Sequence, residues 1–477
     1  MATTEVTTTA PPNSFEARLD ASHITPVMWL LWALSAGLIA LDGFDFFIIG
    51  IAIPFLQRDF GLSSATVGAV AVAAIAGSLV GSLTLGPITD KIGRQLMLIV
   101  DIAIFVVATA GTALAWNAAS LIAFRFLVGV GIGADYPISV SYITENVPAR
   151  LRGRMVIGAF TFQAVGALLG ALTGLFVIQI FQTLYPDSTQ PAIQYAWRWM
   201  LGVGLLLAIG VGILRFSFLL ESPRYHMARG EYDEASKAAS LLLEEPIVIT
   251  PATDPPEREP SLAYTALFSA QYRRRTLFAA IPWFLQDIAT YGIGIFTPVI
   301  IGALAFSDAE NLLMREMAAA KSSAWVDLFL IAGFLIAVLL IERVGRVWLQ
   351  MVGFWGMAIG LIVLALADGG GGTHTGLVFL GFLIFNLMMN AGPNSTTFLL
   401  SGEVFPTSIR ASGAGFAAAV AKAGAVLGTF ALPILQKQLG ISLLLLLLAV
   451  ICILAVGVTY LLRVETKGRS LEAVSVD

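Results

Sequence analysis

Trp283, Asp287 and Tyr291 recur every four residues, a spacing that stacks them along one face of a helix. That face carries a carboxylate between two aromatic side chains able to donate hydrogen bonds. Apolar sequence surrounds them, and an ionisable group at membrane depth costs roughly 2.5–3.5 kcal/mol to insert, so each one marks a candidate site. Asp42, Asp45, Asp135, Gln163, Asn394 and Lys422, with Tyr136 beside Asp135, share that setting. Asp101 and Asp327 also lie in apolar stretches, but near expected helix ends, where snorkelling or capping accounts for them. The set can exchange protons on carboxylates and recognise a small polar solute by hydrogen bonds. His23, His226 and His374 fall outside the apolar stretches, so proton exchange is expected at Asp287, Asp45 and Asp42, in that order. No Ser/His or metal-ligand constellation accompanies these groups, so neither an enzyme, a metal nor a cofactor is expected.

The elements that must hold these residues are membrane helices. The chain is 57% hydrophobic and 12% charged, far from the balance of a soluble domain. Twelve apolar segments, at 28–56, 64–86, 96–115, 118–141, 155–180, 198–220, 277–303, 325–342, 347–367, 376–400, 411–434 and 441–463, are each read as a spanning helix. The fold class is therefore an all-α polytopic membrane protein. The polar segment 1–27 reads as a loose tail and 464–477 as a second one. The charged segment 221–276 separates two six-helix bundles, 28–220 and 277–463.

Of the 27 Lys and Arg residues, 19 fall on the side of the termini and five, Arg58, Arg198, Arg315, Lys321 and Lys437, on the other. The positive-inside rule then places both termini in the cytoplasm. The net charge of −4 gives no reason to expect nucleic acid. The lone Cys452 excludes a disulfide framework and reads as a packing residue.

The two bundles repeat one another. Asp90-Lys91-Ile92-Gly93-Arg94 matches Glu342-Arg343-Val344-Gly345-Arg346 at an offset of 252, and Glu145-x-x-Pro148-x-x-x-Arg152 matches Glu403-x-x-Pro406-x-x-x-Arg410 at 258. One such motif could merely fix topology. The matched set reads as a clamp, in which acidic and basic helix ends pair in one state of a rocking molecule and separate in the other. An offset of 258 relates Tyr136 to Asn394 and one of 259 relates Gln163 to Lys422, so the buried polar residues converge on the pseudo-twofold axis.

The repeat and its motifs resemble the major facilitator superfamily, whose GxxxDRxGRR signature is similar to Gly86–Gln95 here, with Lys91 and Gln95 as substitutions. Glu221-Ser222-Pro223-Arg224 resembles a motif shared with sugar porters. Within the superfamily, Gly133-Ala134-Asp135-Tyr136-Pro137-Ile138-Ser139 is similar to the fourth-helix signature of phosphate:proton symporters. Asp42-x-x-Asp45, Gln163, Trp283-x-x-x-Asp287-x-x-x-Tyr291, Gly392-Pro393-Asn394-Ser395 and Lys422-Ala423-Gly424-Ala425 continue the likeness. Tyr142 and Ala134 depart from it.

The resemblance implies a phosphate site of Tyr136, Gln163, Trp283, Asp287, Tyr291 and Asn394, with the acids of the first helix in proton passage. Dihydrogen phosphate both donates and accepts hydrogen bonds, which suits donors set around an aspartate. Lys422 is expected either to offset the anion's charge or to pair structurally with the aspartate. Proton coupling is expected at Asp42, Asp45, Asp135 and Asp287, and gating at Asp90, Arg94, Glu145, Arg152, Glu342, Arg346, Glu403 and Arg410. Loaded and empty carriers are expected to rock readily and half-loaded ones not, an unpaired Asp287 carboxylate with phosphate absent supplying part of that penalty. The overall expectation is a monomeric, proton-coupled importer of inorganic phosphate in a plasma or cytoplasmic membrane. Transport of an organic anion such as an aromatic acid is the main alternative. A sugar is less favoured because the seventh helix lacks paired glutamines, and a transporter-like receptor because the loops are short.

Overall fold

The computed structural model describes residues 14–92, 94–218, 220–252, 264–305, 312–367, 375–405 and 409–467. In chain order the helices are α1 (Phe15–Ala21), α2 (Pro26–Asp59), α3 (Ser64–Ile92), α4 (Arg94–Ala113), α5 (Ala118–Asn146), α6 (Ala149–Leu184) and α7 (Gln190–Phe218). After these come α8 (Pro223–Ala228), α9 (Tyr232–Leu243), α10 (Tyr264–Leu267), α11 (Arg273–Ala305), α12 (Leu312–Val344) and α13 (Arg346–Leu366). The chain ends with α14 (Thr375–Ala391), α15 (Pro393–Glu403), α16 (Arg410–Leu439) and α17 (Ile441–Leu462). Among the described residues, ten spans are long and apolar enough to cross a bilayer, α14 and α15 together forming one of them. The apolar first half of α5 and the 33-residue α11 complete twelve crossings. Large apolar side chains such as Phe216 and Leu461 stay exposed on these helices, as lipid-facing residues must.

Local chemistry sets the helix ends. Thr25 accepts from the Met28 amide ahead of Pro26 to start α2, and Asn117 and Ser120 form a reciprocal capping box that starts α5. The tenth span breaks between α14 and α15 at Gly392-Pro393, because proline cannot donate to the ladder and clashes with the preceding turn. Side chains add bonds to the backbone at the break: Ser395 donates to the Asn390 carbonyl at 2.5 Å, and Thr396 to that of Gly392 at 3.1 Å, which also accepts from the Ser395 and Thr396 amides.

Within the first half α2 packs on α6 and α7, α3 on α5, and α4 on α5 and α7. Within the second, α11 packs on α16 and α17, α13 on α14 and α17, and α12 on α14. The halves meet through α6 against α12 and α3 against α16. Close crossings within each half depend on glycine. A Cβ on Gly166 of α6 would stand 1.9 Å from the Ala40 carbonyl oxygen of α2, and one on Gly424 of α16 would stand 2.3 Å from the Phe284 carbonyl oxygen of α11. These two glycines are 258 apart, the offset of the motif repeat.

Three sequence expectations need correction. The N-terminal segment is not loose throughout: Ser14 caps α1, whose Phe15 and Leu19 are buried with Leu242 and Leu243 of α9. Glu16 pairs with Arg224 at 2.7 Å and Thr25 donates to the Leu242 carbonyl, tying this segment to α8 and α9. Asp101 and Asp327 are not at helix ends either. Asp101 is the eighth residue of α4 and Asp327 the sixteenth of α12, both buried. The expected eighth span began too late, because Arg315, Glu316 and Lys321 masked the first turns of α12.

Candidate functional site

Helices α6, α11, α12, α14 and α15 enclose a cavity of about 20 Å³, lined in part by Gln163, Thr290, Tyr291, Leu330, Asn390 and Asn394. That volume accommodates about one water molecule. At one side Lys422 of α16 donates to the Tyr291 hydroxyl at 2.7 Å and to the Asp287 carboxylate at 3.5 Å, and all three side chains are buried. The Trp283 side chain is a further hydrogen-bond partner of Asp287. The four-residue spacing therefore does place Trp283, Asp287 and Tyr291 on one face, and Lys422 closes over it. Asp287 is paired with the protein's own Lys422, so an unpaired carboxylate does not supply the expected penalty. Breaking this ion pair by removing one partner would cost about 3–5 kcal/mol.

A second, uncharged network adjoins the pair. Asn394 donates to Asn390 at 2.7 Å and accepts from Gln286 at 3.1 Å, and Gln286 also reaches Thr290 and Thr397. Gln286 and Asn390 were not anticipated. The signal was present in Gln286 preceding Asp287 and in Asn390 four residues before Asn394 on the broken span. Gln163 lies against the cavity from α6. The side chain of Tyr136 lies outside the described residues.

Aromatic rings close the cavity toward the face that carries the termini. Phe160, one turn from Gln163, stacks on Phe398 at 3.9 Å, and Trp283 meets Phe398 edge-on at 4.5 Å. On the opposite side Phe46 packs edge-on against Tyr291 at 5.5 Å, and a Cβ on Gly50 of α2 would lie 2.4 Å from the Ile295 carbonyl oxygen of α11. Both sides are closed.

The remaining acids divide by partner. Asp45 pairs with Arg125 of α5 at 3.3 Å, wholly inside the first half. Asp135 accepts from Ser139 at 2.8 Å and lies 3.9 Å from Arg215 of α7. Asp42 and Asp101 lie near this group, and Asp42 also feels the charge of Lys422. Asp42 therefore stands between the carboxylates of the first half and the central pair, whereas Asp45 and Asp135 are held away from the cavity by arginines. Arg125 and Arg215 belong to neither side of the positive-inside count and were not expected to pair with these acids. Their position inside apolar stretches was the available signal.

At the terminal face Arg346 bridges Glu342 at 2.8 Å and Glu403 at 3.1 Å. Thr466 donates to Glu403 at 2.5 Å, and Glu465 accepts from the Arg346 and Val347 amides. A Cβ on Gly153 of α6 would come 2.6 Å from Glu342, so the first half rests directly on this cluster. Arg152 donates to the Thr144 carbonyl at 3.2 Å and feels the charge of Glu403. Glu145 is half-buried at the end of α5. The side chains of Asp90, Arg94 and Arg410 lie outside the described residues. Glu221 of the Glu-Ser-Pro-Arg run accepts from the Gln95 amide at 2.9 Å, placing a carboxylate at the start of α4 where the helix dipole favours it. The hydroxyl of Tyr142, one of the departures noted above, donates to the Leu220 carbonyl beside α8.

The chain matches the family described as sugar (and other) transporter over residues 30–477. It is 30% identical to YaaU of Escherichia coli, named for metabolite transport, with 94% of each chain covered. It is likewise 30% identical to inorganic phosphate transporter 1-1 of Oryza sativa, with 91% of each covered. A solved structure of the proton:xylose symporter XylE, of the major facilitator superfamily, superposes with a TM-score of 0.76 at 19% identity, covering 95% of this chain and 99% of that one. With its broken tenth span, matched halves and closed central cavity, the chain belongs to the sugar (and other) transporter family and has the major facilitator fold.

Proposed function

We propose that the protein is a proton-coupled symporter that imports inorganic phosphate by alternating access, with the terminal face in the cytoplasm. The observation that carries this reading is the buried Asp287–Lys422 pair, with the Tyr291 hydroxyl on the lysine, beside the Gln163, Asn394 and Gln286 amides. Ionised Asp287 and Lys422 together are neutral. A proton on Asp287 releases the lysine charge to a dihydrogen phosphate, and the loaded site is neutral again. Phosphate without the proton leaves one uncompensated negative charge, and the proton without phosphate leaves one positive charge. Either costs several kcal/mol in a desolvated site, and about 3 kcal/mol already suppresses passage of a half-loaded carrier by roughly 100-fold. Coupling follows because only the full and empty carriers rock readily.

The amides and Tyr291 can meet the anion's oxygens, and its hydroxyls need acceptors that a carboxylate-containing site offers. Sulfate has no proton to give at neutral pH. Relatives named as inorganic phosphate transporters at about 30% identity support the same reading. The cavity must enlarge to admit phosphate, which assigns the present form to the occluded state. The Glu342–Arg346–Glu403 cluster then acts as the cytoplasmic clamp, and Asp42 as the link by which protons move between Asp287 and the first half.

The first test is equilibrium binding of phosphate, sulfate and benzoate to purified protein by calorimetry, across pH. Phosphate binding that takes up close to one proton, with the proton uptake but not the binding lost in Asp287→Asn, supports the site. Benzoate binding in place of phosphate would assign the cavity to organic anions.

A further inference from the structure

Helix α12 presents a stripe to the protein interior that changes character along its length. Glu316, Ser323, Asp327, Leu330 and Phe334 follow one another at intervals of three, four or seven residues and are all buried, so they share one face. Leu330 and Phe334 line the central cavity. Asp327 is one turn further from the terminal face, and Ser323 one turn beyond it. Asp327 is 7% exposed and forms no hydrogen bond or ion pair among the described residues. The Ser323 hydroxyl is buried and likewise has no hydrogen-bond partner. Glu316, nearer the outer end, pairs with Arg315 at 2.8 Å.

The helices packed on α12 bring no counter-charge to this level. Helix α14 has no ionisable side chain, α13 has only Arg346, and α6 has only Arg150, Arg152 and Arg154 in its first turns. Helix α11 contributes Asp287 and Tyr291, engaged with Lys422, and Arg273, Arg274 and Arg275 at its start. Helix α2 contributes Asp42, Asp45, Arg58 and Asp59, of which Asp45 is paired with Arg125 and Asp59 accepts from Trp197. An isolated carboxylate at such a place is stable only when it carries a proton.

We infer that Asp327 is a second protonation site in the second half of the molecule, loaded from the outer face past Glu316 and Ser323 and placed one turn outside the substrate cavity. A relay needs a group that binds a proton within reach of the outer solution before the cavity closes, and the polar half of the α12 stripe supplies one. The next turn connects directly to the substrate network. The Leu330 carbonyl accepts from Asn390 at 3.0 Å, and Asn390 accepts from Asn394 at 2.7 Å. These bonds join the turn next to Asp327 to the residues that line the cavity.

This inference rests on the proton-coupled reading, and two measurements separate their failures. The first does not involve a substrate. Infrared spectra of the protein in lipid, in light and heavy water, should contain a protonated-carboxyl stretch that is lost in Asp327→Asn and retained, shifted, in Asp327→Glu. An unchanged protonated-carboxyl region in Asp327→Asn would overturn the assignment. The second compares gradient-driven phosphate uptake with phosphate exchange at equal pH in proteoliposomes. Asp327→Asn is expected to lower uptake by about tenfold and leave exchange within about twofold, Asp327→Glu to restore uptake, and Ser323→Ala to reduce it to a lesser degree. Equal uptake by wild type and Asp327→Asn would reject a role in coupling. No phosphate flux in wild type would reject the phosphate reading, and the infrared result would still decide whether Asp327 holds a proton.

Discussion

Asp287→Asn separates binding from coupling. With the carboxylate gone, Lys422 keeps its charge whether or not a proton is available, so the neutral empty form is lost while an anion still neutralises the lysine. Gradient-driven accumulation should fall by about 100-fold, and phosphate exchange at equal pH should persist. Both are read from labelled phosphate in vesicles. Tyr291→Phe removes the hydroxyl that accepts from Lys422 at 2.7 Å and that is proposed to meet the anion. It should weaken phosphate binding by roughly 10- to 150-fold, corresponding to about 1.5–3 kcal/mol for a hydrogen bond to a charged group, as measured by calorimetry. These side chains were legible from sequence because a four-residue spacing and an isolated intramembrane lysine are strong signals. The pairing of Arg125 and Arg215 was not, because a basic residue in an apolar stretch does not by itself say which acid on another helix it meets. Asp327 was assigned to a helix end because Arg315, Glu316 and Lys321 shortened the apparent apolar run, and Asp101 because it lies within two turns of the start of α4, although both are buried within their helices.

At the scale of elements, the site depends on how closely α6 approaches α2 and how closely α16 approaches α11. Gly166→Leu and Gly424→Leu should each destabilise the protein by more than about 1–3 kcal/mol, because backbone carbonyls occupy the space the new side chains need. The buried, unpaired thiol of Cys452 makes the measurement direct, since a thiol-reactive dye reports unfolding on heating without any added label. The spanning helices and their order were readable from hydrophobicity, whereas the break at Gly392-Pro393, inside the span read at 376–400, was not anticipated. The helical packing of α1 on α9 was not readable. Phe15 and Leu19 sit in a short polar stretch, and only tertiary partners make their burial favourable.

For the whole molecule, the two-half architecture was legible because the sequence motifs repeat at nearly one offset, and the same offset recurs in the glycine crossings. The state of the cavity was not, because occlusion depends on ring contacts between halves, such as Phe160 on Phe398, that have no sequence pattern. If the Glu342–Arg346–Glu403 cluster is the cytoplasmic clamp, Arg346→Ala should favour opening at that face. In a Cys452→Ser background, a cysteine at Ala164, which lines the cavity, should then react with a water-soluble thiol reagent about tenfold faster from the cytoplasmic side. The neutrality of the full and empty site is the central claim. Its most direct test is uptake of labelled phosphate into proteoliposomes under an inward proton gradient, with sulfate, benzoate and glucose as competitors. Expected is accumulation that rises as the external solution is acidified, collapses with an uncoupler and ignores the competitors. Phosphate uptake indifferent to the proton gradient, or uptake of benzoate instead, would contradict it.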